Sequence, residues 1–152
     1  MNDFDFMREA LAEAKKAGEM GEVPIGAIVV RNGEIIARAH NERETGKDAT
    51  RHAEIIAIER ACSALGGWRL IGCDLYVTLE PCPMCAGAAV NARLVRVVYG
   101  APDLRAGAFG SVIDLNSYPL NHKPEIVGGV LADECLAPIR EFFQNKRKKK
   151  TE

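Results

Sequence analysis

Two short motifs, His52-Ala53-Glu54 and Pro81-Cys82-Pro83-Met84-Cys85, stand some thirty residues apart and constrain this chain more than any other feature. An imidazole, two thiols and an acid are what a catalytic zinc site draws on. Zinc takes four ligands, and a catalytic site gives three to protein and leaves the fourth for water. Cys82 and Cys85 offer two sulfurs from a single turn, and His52 offers an imidazole from a distant segment. Glu54, two residues beyond the histidine, is placed to move protons for the activated water. Any fold of this chain must bring the two segments to one point.

Local geometry narrows the arrangement. Cys82 and Cys85, three apart, share one face near the start of a helix, where unpaired N–H groups and the positive dipole end favour thiolates. Pro81 and Pro83 suit such a start, because the missing N–H groups would be unpaired there anyway. His52 and Glu54 lie about 200° apart on an ideal helix. Both serve one site only if the metal sits end-on against the first turn, so a site between two helix N-termini is expected. Two thiolates cancel the charge of the zinc, and bound water is then less acidified than on three histidines. A carboxylate at Glu54 compensates by taking the water proton and passing it to a leaving nitrogen. Attack of hydroxide on an amidine carbon with loss of ammonia is a deamination. Blander readings exist. Cys-x-x-Cys alone suits a redox pair, and a structural zinc would take a fourth ligand from His40, His122, Cys62, Cys73 or Cys135. The joint occurrence with His-x-Glu favours the catalytic reading.

With 152 residues, 47% hydrophobic and 27% charged, the chain suits a single domain spanning 1–152. It has no apolar run long enough to span a membrane, and the acidic start Met1-Asn2-Asp3-Phe4-Asp5 is unlike a secretory signal. Five cysteines in such a chain suit a reducing compartment, hence the cytoplasm. The net charge of −1 conceals a basic tail at 146–150, Lys-Arg-Lys-Lys-Lys, on an otherwise acidic body. Such a tail fits a nucleic-acid partner or simply a solvated terminus.

Apolar spacing predicts a helix over 3–17, capped by Asp3 and stopped by Gly18, then strands at 25–30 and 34–38 joined by a turn at Asn32-Gly33. Asp48 is the expected cap of a second helix that Gly66-Gly67 ends after Leu65. A strand at 75–79 leads into a third helix reaching about Ala92, followed by a strand at 94–99. The long polar stretch 100–124 suits a functional loop. A short strand at 125–127 and a helix at 132–147 follow, with Pro138 expected to kink that helix or shift its start. This order implies an α/β fold, a three-layer α/β/α sandwich around a central mixed five-stranded sheet. Gly26 reads as a packing point, a close approach of substrate or a strand bulge.

The His-x-Glu and Pro-Cys-x-x-Cys pairing is the signature of zinc nucleobase deaminases. Over roughly residues 4 to 144 the sequence resembles the bacterial tRNA-specific adenosine deaminases of the cytidine deaminase superfamily. The residues carrying the likeness include Val23-Pro24-Ile25-Gly26-Ala27, His52-Ala53-Glu54-Ile55, Leu75 through Cys82, Met84-Cys85-Ala86-Gly87-Ala88, and Ala132-Asp133-Glu134-Cys135 before Phe142-Phe143. The resemblance implies a cytidine deaminase-like fold and conversion of adenosine to inosine at the wobble position of a tRNA anticodon. It implies one Zn2+ per subunit, a homodimer, and the anticodon stem-loop of arginine tRNA as partner. His52, Cys82 and Cys85 then match the zinc ligands, Glu54 the proton shuttle, and Asn41 the residue that contacts the target nucleoside. Asp103 and Arg105 match groups that meet the anticodon loop, and Phe142 or Phe143 would stack on RNA or line its channel. The competing expectation is a zinc deaminase of a free nucleobase or nucleotide, of guanine or cytosine type. A non-catalytic RNA-binding subunit with a structural zinc would have no need of Glu54.

Overall fold

A computed structural model describes residues 1–151, with side chains through Lys149. Glu152, at the end of the expected 1–152 span, and the side chain of Lys150, the last cation of the expected tail, lie outside the described residues. Helix α1 (Asp3–Glu19) opens the chain, followed by strands β1 (Gly26–Arg31) and β2 (Glu34–His40) and helix α2 (Ala53–Leu65). Strand β3 (Cys73–Leu79), helix α3 (Pro83–Asn91), strands β4 (Arg96–Ala101) and β5 (Glu125–Val127), and helix α4 (Ala132–Thr151) complete it.

The five strands form one mixed sheet in the order β2-β1-β3-β4-β5. β1 runs antiparallel to both β2 and β3, whereas β3, β4 and β5 are mutually parallel. Side chains alternate across the sheet. Ile28, Val30, Tyr76 and Val98 pack with Phe6, Met7 and Ala10 of α1 and Cys135 of α4. Ala27, Val29, Leu75, Val77 and Val97 pack on the other face with Ile56, Ala57 and Ala61 of α2 and Ala86 and Ala89 of α3. Helices on both faces explain why the central stretches Ala27–Val30 and Leu75–Val77 read as unbroken apolar runs. The sandwich expected from the order of elements is the one observed.

The boundaries that differ do so for local reasons. The cap of α1 is Asn2, one residue earlier than expected, and it forms a reciprocal capping box with Asp5 (Asp5 N–H to Asn2 Oδ1 3.0 Å, Asn2 N–H to Asp5 Oδ2 2.9 Å). α1 also runs past Gly18 to Glu19. Asp48 does not cap α2: its Oδ1 accepts from the backbone N–H and hydroxyl of Thr50, closing a local turn. α2 starts only after His52. β4 begins at Arg96 and not at Leu94, whose N–H still bonds back to Ala89 at the end of α3. α4 starts at Ala132 and continues through Pro138 to Thr151, so the proline leaves the start where it was expected. Gly26 is a packing point, because a Cβ there would meet the backbone of Ala10 and Ala14 in α1.

Candidate metal centre and substrate cleft

His52 and Cys82 occupy the same kind of position. Each is the residue just before a helix, in extended conformation, and the side chain of neither caps its own helix. With its side chain released from capping duty, each is free to turn toward the other. His52 Nδ1 lies 3.7 Å from Cys82 Sγ and 3.5 Å from Cys85 Sγ, and the donor atoms of all three fall within 4.8 Å of one another. A tetrahedral ion with sulfur at about 2.3 Å and imidazole nitrogen at about 2.0 Å separates such an N–S pair by about 3.5 Å. The donor set therefore fits an ion of zinc's dimensions. Among the described residues no fourth cysteine, histidine or acid joins this group. The alternatives are engaged elsewhere: the sulfurs of Cys62, Cys73 and Cys135 face the carbonyls of Trp68, Ile71 and Val130, and His122 and His40 face those of Leu94 and Asn41. Three protein donors are the count of a catalytic site.

The electrostatics divide the two sulfurs into one thiolate and one thiol that share a proton. A hydrogen bond from the Cys85 thiol holds the Cys82 sulfur as a thiolate, down to about 4. The same bond, with burial, pushes the Cys85 thiol up. Hydrogen bonding to Cys82 raises the imidazolium of His52 above its ordinary range, against the effect of burial. Glu54, only 4% exposed, is pushed up to about 7 by burial, a rise that its own backbone N–H and the His52 charge partly offset. A carboxyl that titrates near neutrality can both take and give a proton.

Asn41 reaches this corner from the end of β2. Its Oδ1 accepts the N–H of Ala53 at 2.9 Å, which caps α2 from outside the helix. Asn41, His52, Glu54 and Cys82 form the floor of a cleft of about 1010 Å³. Its rim carries Asp103, Leu104 and Arg105 and, from α4, Arg140, Phe143, Lys146 and Arg147. Asp103 turns its Oδ1 to the N–H groups of Arg105 (3.0 Å) and Ala106 (3.2 Å), so it shapes the rim as well as lining it.

Phe142 is the exception among the expected contact residues. It lines a separate groove between α1 and α4, with Leu11 and Pro138, while Phe143, 42% exposed, faces the main cleft. Successive residues on a helix point about 100° apart, and here that step carries Phe142 to the groove beside α1 and leaves Phe143 on the cleft.

Other residues of the cleft carry no signature in the sequence. Arg43 lines it beside Asn41. Two buried acids, Glu22 and Glu80, each 1% exposed, hold the loops that bear the rim. Glu22 accepts the N–H groups of Glu44 (3.1 Å) and Thr45 (2.7 Å), and these bonds keep its carboxyl below the ordinary range even though burial pulls upward. A glutamate next to Pro81-Cys82 was the one available hint for Glu80, and its loop partners lie too far along the chain to be read from spacing.

With this geometry established, the chain is similar to known deaminases. A MafB19-like deaminase family model matches residues 1–134. A tRNA-specific adenosine deaminase of Bacillus subtilis (strain 168) is 56% identical over 146 residues, covering 95% of this chain and 91% of that one. Its counterpart in Agrobacterium fabrum is 49% identical over 143 residues, covering 93% and 94%. Among solved structures, one from a study of A-to-I editing by tRNA:A34 deaminases at the wobble position of transfer RNA has a TM-score of 0.86 at 48% identity, covering 88% of this chain and 98% of that one. A guanine deaminase from Bacillus subtilis is more distant, with a TM-score of 0.65 at 31% identity and 95% of each chain covered.

Proposed function

This chain belongs to the tRNA-specific adenosine deaminases, and from that premise we propose that it hydrolyses the exocyclic amine of the wobble adenosine in a tRNA anticodon, leaving inosine and ammonia. The observation that carries this reading is a buried acid, Glu54, beside a three-donor metal group at the floor of a wide, cation-rimmed cleft. The cleft volume of about 1010 Å³ stands at the top of the usual range for small-molecule pockets, about 300–1,000 Å³. A free base needs neither that space nor the cations of the rim.

His52, Cys82 and Cys85 hold zinc, one ion per subunit. When bound, zinc supplies Lewis acidity that makes water a nucleophile near neutral pH. Glu54 takes one proton of the attacking water and gives it to the purine ring nitrogen beside C6, then takes the second from the newly added hydroxyl and gives it to the amine, which leaves as ammonia. One C–O bond forms, one C–N bond breaks, and no redox partner is needed. The Oδ1 of Asn41 is engaged by Ala53, so its Nδ2 is the group left to donate to the nucleoside. Arg105 and Asp103 meet the loop backbone and bases near the target, and Phe143 offers a ring face to an unstacked base.

The RNA partner is an anticodon stem-loop, in the first place that of arginine tRNA, and the basic tail at 146–150 adds charge along its backbone. Lys146 and Arg147 on the cleft wall support this. The chain works as one domain in the cytoplasm, a compartment that its five free thiols suit. It pairs as a homodimer, to which the exposed Val112, Ile113, Tyr118 and Leu120 of one segment lend support.

Purified protein incubated with an anticodon stem-loop, free adenosine, guanine and cytosine tests the reading. Inosine and ammonia should come from the stem-loop alone. Turnover of guanine or cytosine beside an inert stem-loop would overturn it. Removing residues 146–150 should weaken stem-loop binding and flatten its salt dependence.

A further inference from the structure

We infer that Glu80 is a positioning residue, one that sets the rim at Asp103–Arg105 relative to the metal group and so governs how the RNA is read. The inference rests on the function proposed above. Glu80 stands between the end of β3 and Cys82, and its carboxylate is 1% exposed. All hydrogen-bond partners of the carboxylate lie in one loop. Oε1 accepts the N–H of Asp103 at 3.1 Å and the hydroxyl of Ser111, while Oε2 accepts the N–H groups of Phe109 (3.0 Å) and Ser111 (3.2 Å).

Two further observations tie the loop to this one side chain. A Cβ on Gly107 would fall on the Glu80 carboxylate, so the loop wraps against it without an intervening side chain. The backbone on either side is stitched as well, with Glu80 N–H donating to Ala101 and Ala108 N–H donating to Pro81. Cys82, a member of the metal group, therefore lies two residues from an acid that holds the rim. A shift of that carboxylate moves the rim against the floor of the cleft.

Glu80→Gln makes the inference specific. An amide has one oxygen, and its most favourable placement keeps that oxygen on the N–H groups of Phe109 and Ser111. The NH2 then donates to the Ser111 hydroxyl and confronts the N–H of Asp103. The lost contact falls at the rim and not in the body of the loop. A buried donor left without an acceptor is costly, and the rim at Asp103 and Arg105 should drift from its place over the RNA.

The test compares wild type, Glu80→Gln and Ser111→Ala on a stem-loop substrate and on stem-loops altered at the nucleotides flanking the target, with metal content measured for each. Wild type must deaminate the stem-loop; if it does not, the proposed function fails and Glu80 is not the reason. Given active wild type, Glu80→Gln should keep its metal, raise KM about tenfold with kcat little changed, and lose discrimination between flanking nucleotides. Ser111→Ala, which removes one bond from the same oxygen, should move both readouts in the same direction by about two- to threefold. If Glu80→Gln does not fold, Ser111→Ala carries the comparison. A glutamate that merely supported the fold would lower active fraction and metal content together. That result, or unchanged KM and discrimination in a folded variant, overturns the inference.

Discussion

The N-terminus of α1 and the paired N-termini of α2 and α3 answer the same physical demand in opposite ways. A helix start leaves backbone N–H groups without partners. α1 meets the demand locally, with Asn2 and Asp5 exchanging two hydrogen bonds. α2 and α3 begin with His52 and Cys82, whose side chains cap nothing. For α2 the missing cap comes from Asn41, twelve residues back along the chain. The first arrangement stabilises the fold. The second leaves two side chains at helix starts free to meet at a metal, where the dipoles also favour the thiolates. Local capping and chemistry compete for the same position, and at these two helices chemistry holds it.

Breaking the α2 and α3 starts should cost activity first. His52→Ala is expected to lose its metal and fall to background, as judged by metal analysis and inosine formation; in wild type, zinc should restore activity lost to a chelator. Glu54→Gln should keep the metal yet deaminate about 100- to 10,000-fold more slowly, and a fully active variant would remove the proton role assigned to it. Asn41 sits on both sides of the comparison. Asn41→Ala should lose about 1 kcal/mol through the vacated cap, and tenfold or more in kcat/KM on the stem-loop. Asn41→Asp keeps the acceptor for Ala53, so thermal melting should recover while activity does not.

The α1 start predicts the reverse pattern. Asn2→Ala should cost about 0.5–1 kcal/mol in urea unfolding with kcat and KM untouched. A change in either constant would mean that α1 communicates with the site. Asp3, the first residue of α1, gives the smallest effect and one with a pH signature. A hydrogen bond from Arg96 (2.8 Å) holds its carboxyl below the ordinary range, although burial pulls the other way. Because the native value is depressed, the stabilisation is complete above the unfolded value, about 3.9, and is lost as pH falls through the native one. Asp3→Asn should therefore lower the unfolding midpoint at neutral pH and match wild type in strong acid. Equal offsets at both pH values would exclude the ion pair as the cause.

What could be read from the sequence follows the range of the interactions involved. The three donors that could hold a metal are legible because their chemistry demands fixed residue types, and α1 is legible because its apolar stripe is local, although its cap is Asn2 where Asp3 was expected. The start of α2 was misplaced because its cap lies across space, at Asn41, while Asp48 mimics one in a turn with Thr50. The partners of Glu80 and Glu22 could not be read for the same reason: a buried acid meets its loop only after the chain has folded. The division between Phe142 and Phe143 needed the actual rotation of α4 against α1, which puts Phe142 in the groove with Leu11 and Pro138.

The borders of the sheet bear on behaviour in concentrated solution. β5 has only three residues, too few to recruit a second chain along its open side. β2, on the opposite border, carries Arg38, whose guanidinium is paired with Glu9 and Glu13 and whose carbonyl accepts from Arg60. A charged side chain and an occupied carbonyl deny an incoming strand its register. The fold should therefore resist fibril formation at high expression, and its assemblies should be built from helices and loops instead of continued sheets.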